Sequence, residues 1–139
     1  THCISSAASD VYKRQMWYCI GMKPRELEEE RREYQEALAR ALEDIVAILK
    51  EIPEVKRIFL FGSYARGRRD LFTDLDLLVI MDTDEPFVKR LERLYRTIGG
   101  RAGVDVDILA YTPEEITKMR EYGFLRNVLQ EGRLLYARE

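Results

Sequence analysis

The sequence predicts an α/β (α+β) fold, a small mixed β-sheet with helices packed mainly on one side. Three observations predict it. Short β-rich apolar runs alternate with segments of helical period. One of the runs is apolar on both faces, as a covered central strand requires. The 139 residues give room for one domain, with 46% apolar and 35% charged residues, a balance that reads as a globular domain with a charged surface.

The elements follow in order. From Pro24, Leu38, Leu42, Ile45, Leu49 and Ile52 recur at three- and four-residue steps, the amphipathic helical period, and Pro53 ends the pattern. Its first half is mostly charged; a run such as ELEEERRE reads as a solvated face, with a partner helix as the other use. VKRIFLFGS, from Val55, is a strand closed by Gly62. SYARGRRDLF is a polar connection with a helical turn from Ser63. DLDLLVIM, Asp74 to Met81, is the strand with two apolar faces: Asp74, Asp76, Leu78 and Ile80 share one side and Leu75, Leu77, Val79 and Met81 the other. A helix is predicted from about Pro86 to Ile98, capped by Thr83 or Asp84 and stopped by Gly99-Gly100. VDVDILAY, Val104 to Tyr111, is a third strand. TPEE gives a capping box with Thr112 at N-cap, Pro113 at N1 and Glu115 at N3. Helical segments from Pro113 and from about Phe124 break near Gly123 and end at Gly132. RLLYA, from Arg133, is a last, edge strand.

Residues 1–21 match neither period and are worded like translated adapter or vector sequence. They are expected to be a non-native or disordered extension, with Met16 or Met22 as the start and residues 22–139 as the domain. Setting them aside removes Cys3, Cys19 and the single histidine, His2, so imidazole catalysis is excluded from the domain. The cysteine spacing makes neither a metal site nor a disulfide framework. No apolar run is long enough to span a membrane, and the first residues lack the apolar core of a signal peptide. The expected location is the cytoplasm. The formal net charge of −2 gives no global basic field, so nucleic acid is disfavoured as a partner.

The chemistry gathers in residues 59–80. Glycine directly after a buried strand lets backbone amides approach a ligand closely. Ser63 at a helical N-terminus adds a donor where the dipole favours anions, and Arg66, Arg68 and Arg69 suit phosphate. The span reads as a phosphate cradle; the Gly-Ser taken alone reads rather as an ordinary capped turn with a solvated basic face. Asp74 and Asp76, two apart on a strand, offer hard oxygen ligands of the kind Mg²⁺ takes, with phosphates and waters completing its shell. Asp105 and Asp107 share a face of the third strand. Should that strand pair beside the second, a third carboxylate joins the first two, giving the arrangement for in-line displacement at phosphorus.

Gly62-Ser63, ten intervening residues and Asp74-x-Asp76 resemble the G-S-x10-D-x-D signature of minimal nucleotidyltransferases, in the polymerase-β-like superfamily. GSYARG, TDLDLLV, VDILAYTPEE and the closing LQEGRLLYARE are similar to that family's wording over about residues 25–139. The resemblance implies the nucleotidyltransferase fold and transfer of AMP from ATP to a hydroxyl. It implies two Mg²⁺ ions held by Asp74, Asp76 and Asp107, the last in preference to Asp105, with Asp107 helping to deprotonate the acceptor. Gly62 and Ser63 would hold the terminal phosphates, with Arg66 assisting. It also implies an antitoxin of the HEPN–MNT kind, which modifies a tyrosine on a separately encoded helical HEPN-type toxin (AMPylation). A small-molecule acceptor such as an aminoglycoside, and a non-catalytic nucleotide-binding partner module, are the alternatives; homo-oligomerisation is left open. Tyr34, Tyr64, Tyr95, Tyr111, Tyr122 and Tyr136 read as packing or surface residues, with Tyr64 also placed to line a nucleotide pocket.

Overall fold

A computed structural model describes residues 24–100 and 104–138; the expectations for residues 1–21 lie outside them. The chain divides into two compact units, residues 1–33 and 34–139. Residues 24–33 of the first are helical, and the site lies in the second. The described elements run α1 (Pro24–Leu49), β1 (Val55–Phe61), α2 (Gly62–Ala65), β2 (Leu75–Met81), α3 (Phe87–Ile98), β3 (Val106–Tyr111), α4 (Pro113–Met119), α5 (Gly123–Glu131) and β4 (Arg133–Ala137).

The strands form one mixed sheet in the order β3-β2-β1-β4. β1 pairs antiparallel with β2 and β4, and β2 pairs parallel with β3. β2 is central, and its two apolar faces feed two separate cores. Leu75, Leu77, Val79 and Met81 pack with Leu38, Ile45 and Leu49 of α1 and Leu94 and Ile98 of α3. Leu78 and Ile80 pack with Phe59 and with Leu125 and Val128 of α5. The first cluster is much the larger, so the helices do lie mainly on one side, with short α4 and α5 over part of the other. Fully burying side chains of this size contributes about 1.5–3 kcal/mol each, which makes the α1 stripe the main support of the sheet.

Side chains tie both outer strands to neighbouring elements. At the β3 edge, the Ile108 amide donates to the Tyr95 hydroxyl at 2.8 Å, which occupies a donor that an edge strand leaves free. Beyond β4, the Arg138 guanidinium donates to the carbonyls of Pro53 and Lys50, both at 2.8 Å, where α1 has just ended and its last carbonyls lack helical partners.

The capping box at α4 is present as expected, with Thr112 and Glu115 bonded reciprocally. The entry to α3 differs. Its N-cap is Pro86, with no side-chain cap bond, and the helix begins at Phe87. Thr83 instead accepts from the Glu85 amide at 3.2 Å, a local turn that competes with capping. Arg90 holds the entry from inside the helix, donating to the Glu85 carbonyl at 2.8 Å. The same guanidinium, 6% exposed, reaches the Ala110 carbonyl at 3.2 Å and Glu115 at 2.6 Å. One buried charge thus joins α3, β3 and α4, with its hydrogen-bonding capacity largely filled.

Candidate active site

The antiparallel β1–β2 pair and the parallel β2–β3 pair bring the end of β1 and the starts of β2 and β3 to one edge of the sheet. Register places Phe61 opposite Asp76 and Asp76 opposite Asp107. Since side chains alternate along a strand, these three stand in a row on the face of Leu78 and Ile80. Asp107 lies close enough for its charge to act on the Asp76 carboxyl.

Gly62 explains how Asp76 is accommodated. Its φ is +76, and a Cβ there would lie 2.0 Å from Asp76 Oδ2. The carboxylate rests against bare backbone, which only glycine supplies at that φ. From Gly62 the chain makes one turn, α2, whose first amides have no intrahelical acceptor. Ser63 is buried, and Arg66, at the end of the turn, is exposed.

Burial pushes the Asp76 carboxyl up to about 6, reinforced by the Asp107 and Asp74 charges, while Arg66 pulls the other way. Opposed carboxylates with one guanidinium in reach favour a shared proton or a bound cation. Among the described residues no three His, Cys, Asp or Glu side chains gather closely enough to form a metal cage. The donor set still fits Mg²⁺, which binds through one or two carboxylates and fills its shell with water and substrate phosphate.

Two expected strand residues fall just outside their strands. Asp74 precedes β2 and Asp105 precedes β3. Leu75 donates its amide to the Asp105 carbonyl at 3.0 Å, so the backbone pairing continues one step past the assigned strand. Asp74 acts by its charge on both Asp76 and Tyr34, and Asp105 acts on Tyr34. Of the two β3 aspartates, Asp107 is the one opposed to Asp76.

The connection from α2 to Asp74 is held by side chains that composition does not single out. Asp70 accepts from Arg68 Nε at 2.6 Å, from the Phe72 amide at 2.9 Å and from the Thr73 hydroxyl at 3.3 Å. Arg69 donates to the Tyr64 carbonyl at 2.7 Å and lies 3.5 Å over the Tyr64 ring. Tyr64 is therefore a core residue of the larger cluster, not a pocket-lining one. Of the three arginines, Arg68 and Arg69 are engaged in the loop itself. From α1, Gln35 donates to the Arg69 carbonyl at 3.2 Å and Tyr34 to the Thr73 carbonyl at 2.7 Å. Burial raises the Tyr34 pKa, as do Asp74, Asp105 and Asp70, so the hydroxyl stays protonated as a donor. The signal for Tyr34 was its place one turn before Leu38 on the apolar stripe.

Known proteins share this layout. A family model described as "Polymerase beta, Nucleotidyltransferase" matches residues 43–139. A protein of Methanocaldococcus jannaschii, named "Putative protein adenylyltransferase MJ0604", is 35% identical over 99 residues, spanning 70% of this chain and 96% of its own length. A solved structure described as a "putative nucleotidyltransferase" from Sulfolobus solfataricus has a TM-score of 0.54 at 21% identity, over 78% of this chain and 87% of that one. A toxin–antitoxin crystal structure with AMP-PNP has a TM-score of 0.50 at 24% identity, over 70% of this chain and 73% of that one. The likeness to both structures is one of fold.

Proposed function

The chain belongs to the polymerase-β nucleotidyltransferase family, and on that premise we propose that it transfers AMP from ATP to a hydroxyl of a protein. The observation that carries this reading is Asp76 held between the bare backbone of Gly62 and the directly opposed Asp107. Asp74, Asp76 and Asp107 would hold two Mg²⁺ ions. Mg²⁺ bound there would neutralise charge on the transferring phosphoryl group.

The other roles fall to residues of this chain. The amides of Gly62 and Ser63, with the Ser63 hydroxyl, hold the β- and γ-phosphates, and Arg66 adds its charge. The acceptor oxygen forms a bond to the α-phosphorus as the bond to the β-phosphate oxygen breaks. Pyrophosphate leaves, and the acceptor proton passes to Asp107. Holding both partners in line supplies much of the rate enhancement in such reactions.

The named activity of the M. jannaschii relative supports a protein acceptor. The fold shared with a toxin–antitoxin structure with AMP-PNP supports an antitoxin role. The reading adds a cytoplasmic location and, as the target, a tyrosine of a separately encoded HEPN-type helical protein. The test is co-expression with the protein of the neighbouring gene, with and without Asp76→Asn, followed by intact mass measurement. An AMP-sized increase that requires Asp76 supports the reading. An unmodified neighbour, alongside efficient adenylylation of an aminoglycoside, would replace it with the small-molecule one.

A further inference from the structure

The described residues leave several large aromatic side chains exposed, and two of them flank Gly123 at the start of α5: Tyr122, 71% exposed, and Phe124, 54% exposed. Phe124 does not stand alone. Its ring meets that of Phe61 edge-on, with centroids 5.4 Å apart and planes at 81°. Phe61 is only partly buried, precedes Gly62 and lies opposite Asp76 in the β1–β2 register. Phe61 packs with Leu78, Ile80, Leu125 and Val128, so the Phe61–Phe124 pair sits on the face of the sheet that carries Asp76, with Phe61 one strand away from that carboxylate. A core explanation does not account for it, since its neighbours Leu125 and Val128 carry the packing of α5 into the sheet while Phe124 keeps more than half its surface open.

We propose that Phe124, braced by Phe61, is the stacking platform for the nucleobase of the nucleotide substrate. The inference rests on the nucleotidyltransferase reading and adds the subsite which that reading leaves open. Phosphates held at Gly62 and the carboxylates leave the nucleoside to extend along the sheet face, and the first apolar surface beside Asp76 in the row is Phe61 with Phe124 against it. Edge-to-face bracing fixes the Phe124 ring before the base arrives, so little side-chain freedom is lost on binding. Stacking uses the π-face common to all bases, so the platform favours a nucleotide over bare polyphosphate without choosing strongly among bases.

The test is calorimetric titration of the full chain with Mg²⁺·ATP, Mg²⁺·GTP and Mg²⁺·tripolyphosphate, in the wild type, Phe124→Ala and Phe124→Trp. Stacking of one base is worth a factor of about 5 to 150 in affinity. Phe124→Ala is expected to weaken ATP and GTP about tenfold and alike, and to leave tripolyphosphate unchanged; Phe124→Trp is expected to keep or tighten both nucleotides. ATP binding by Phe124→Ala equal to that of the wild type overturns the platform, as does an equal loss for ATP and tripolyphosphate, which would mark a structural role. A wild type that binds neither ATP nor tripolyphosphate overturns the nucleotidyltransferase reading itself, a separate and distinguishable result.

Discussion

Tyr34 donates its hydroxyl to the carbonyl oxygen of Thr73 at 2.7 Å, and Thr73, fully buried, is the residue before Asp74. A side chain 39 positions upstream thus fixes the peptide from which the first site carboxylate projects.

Tyr34→Phe leaves that buried carbonyl without its donor, at a cost of about 1–3 kcal/mol. The expected result is a fall of several degrees in the thermal midpoint together with a several-fold rise in the Mg²⁺ concentration needed for half-maximal turnover. Leu38→Ala, one turn along the same stripe, is the control. It should cost about 2–5 kcal/mol through its cavity and leave the Mg²⁺ dependence unchanged. An unaltered Mg²⁺ dependence in Tyr34→Phe would limit Tyr34 to a structural role.

Gly62 and Gly67 offer a second comparison. Both have positive φ, +76 and +95, but an added Cβ meets Asp76 only at Gly62; at Gly67 nothing lies within 4 Å. Alanine at either position should cost about 1–2 kcal/mol of backbone strain, read from urea midpoints. Only Gly62→Ala should also displace the Asp76 carboxylate and abolish metal-dependent nucleotide binding. Intact binding in Gly62→Ala would mean that the close approach is incidental.

The Arg90–Glu115 pair gives a pH dependence. Burial pushes the Glu115 carboxyl up, but the bonds from Arg90 and from the Thr112 amide outweigh it and hold the group below its ordinary value. A depressed carboxyl adds stability above the unfolded pKa of about 4.3, and that stability is lost as pH falls through the folded value. The advantage of wild type over Glu115→Gln in urea should therefore be full near pH 7 and shrink below about pH 4. Glu115→Ala also removes the capping box and strands the Arg90 charge, so a loss of about 2–3 kcal/mol is expected, below the range for fully buried pairs because Glu115 is partly exposed. A pH-independent difference would show that the pair contributes through packing alone.

Much of this site was legible in the sequence because its determinants are local. Alternation along β2 puts Asp76 with Leu78 and Ile80, and alternation along β3 puts Asp107 with Leu109 and Tyr111. The parallel pairing then brings the two carboxylates opposite each other. The Thr112–Glu115 box was equally local. What escaped depends on packing across the chain. Tyr34 reads as an ordinary helical aromatic until α1 docks beside the Thr73 peptide. Arg90 is not singled out by the sequence because nothing near it announces Glu115, 25 positions away. Tyr64, placed beside Ser63, read as either pocket or packing, and the stacked Arg69 accounts for its burial in the core. Asp74 and Asp105, taken as strand residues by alternation, stand just before their strands, where alternation no longer fixes a side chain's direction.

Asp107 and Asp105 can be separated directly. Asp107 is opposed to Asp76, while Asp105 lies toward Tyr34. Asp107→Ala should abolish turnover and retain some nucleotide binding; Asp105→Ala should do less. The reverse order of damage, measured under saturating Mg²⁺ and ATP, would move the third carboxylate to Asp105.

The most direct test of the account is calorimetric titration of the wild type and of Asp76→Asn with AMP-PNP, each with Mg²⁺ and with EDTA. The account predicts binding to the wild type that requires Mg²⁺, lost in Asp76→Asn while its thermal midpoint holds or rises, because the opposed carboxylates no longer repel. Nucleotide binding of equal affinity in Asp76→Asn, or in the wild type without Mg²⁺, would contradict it.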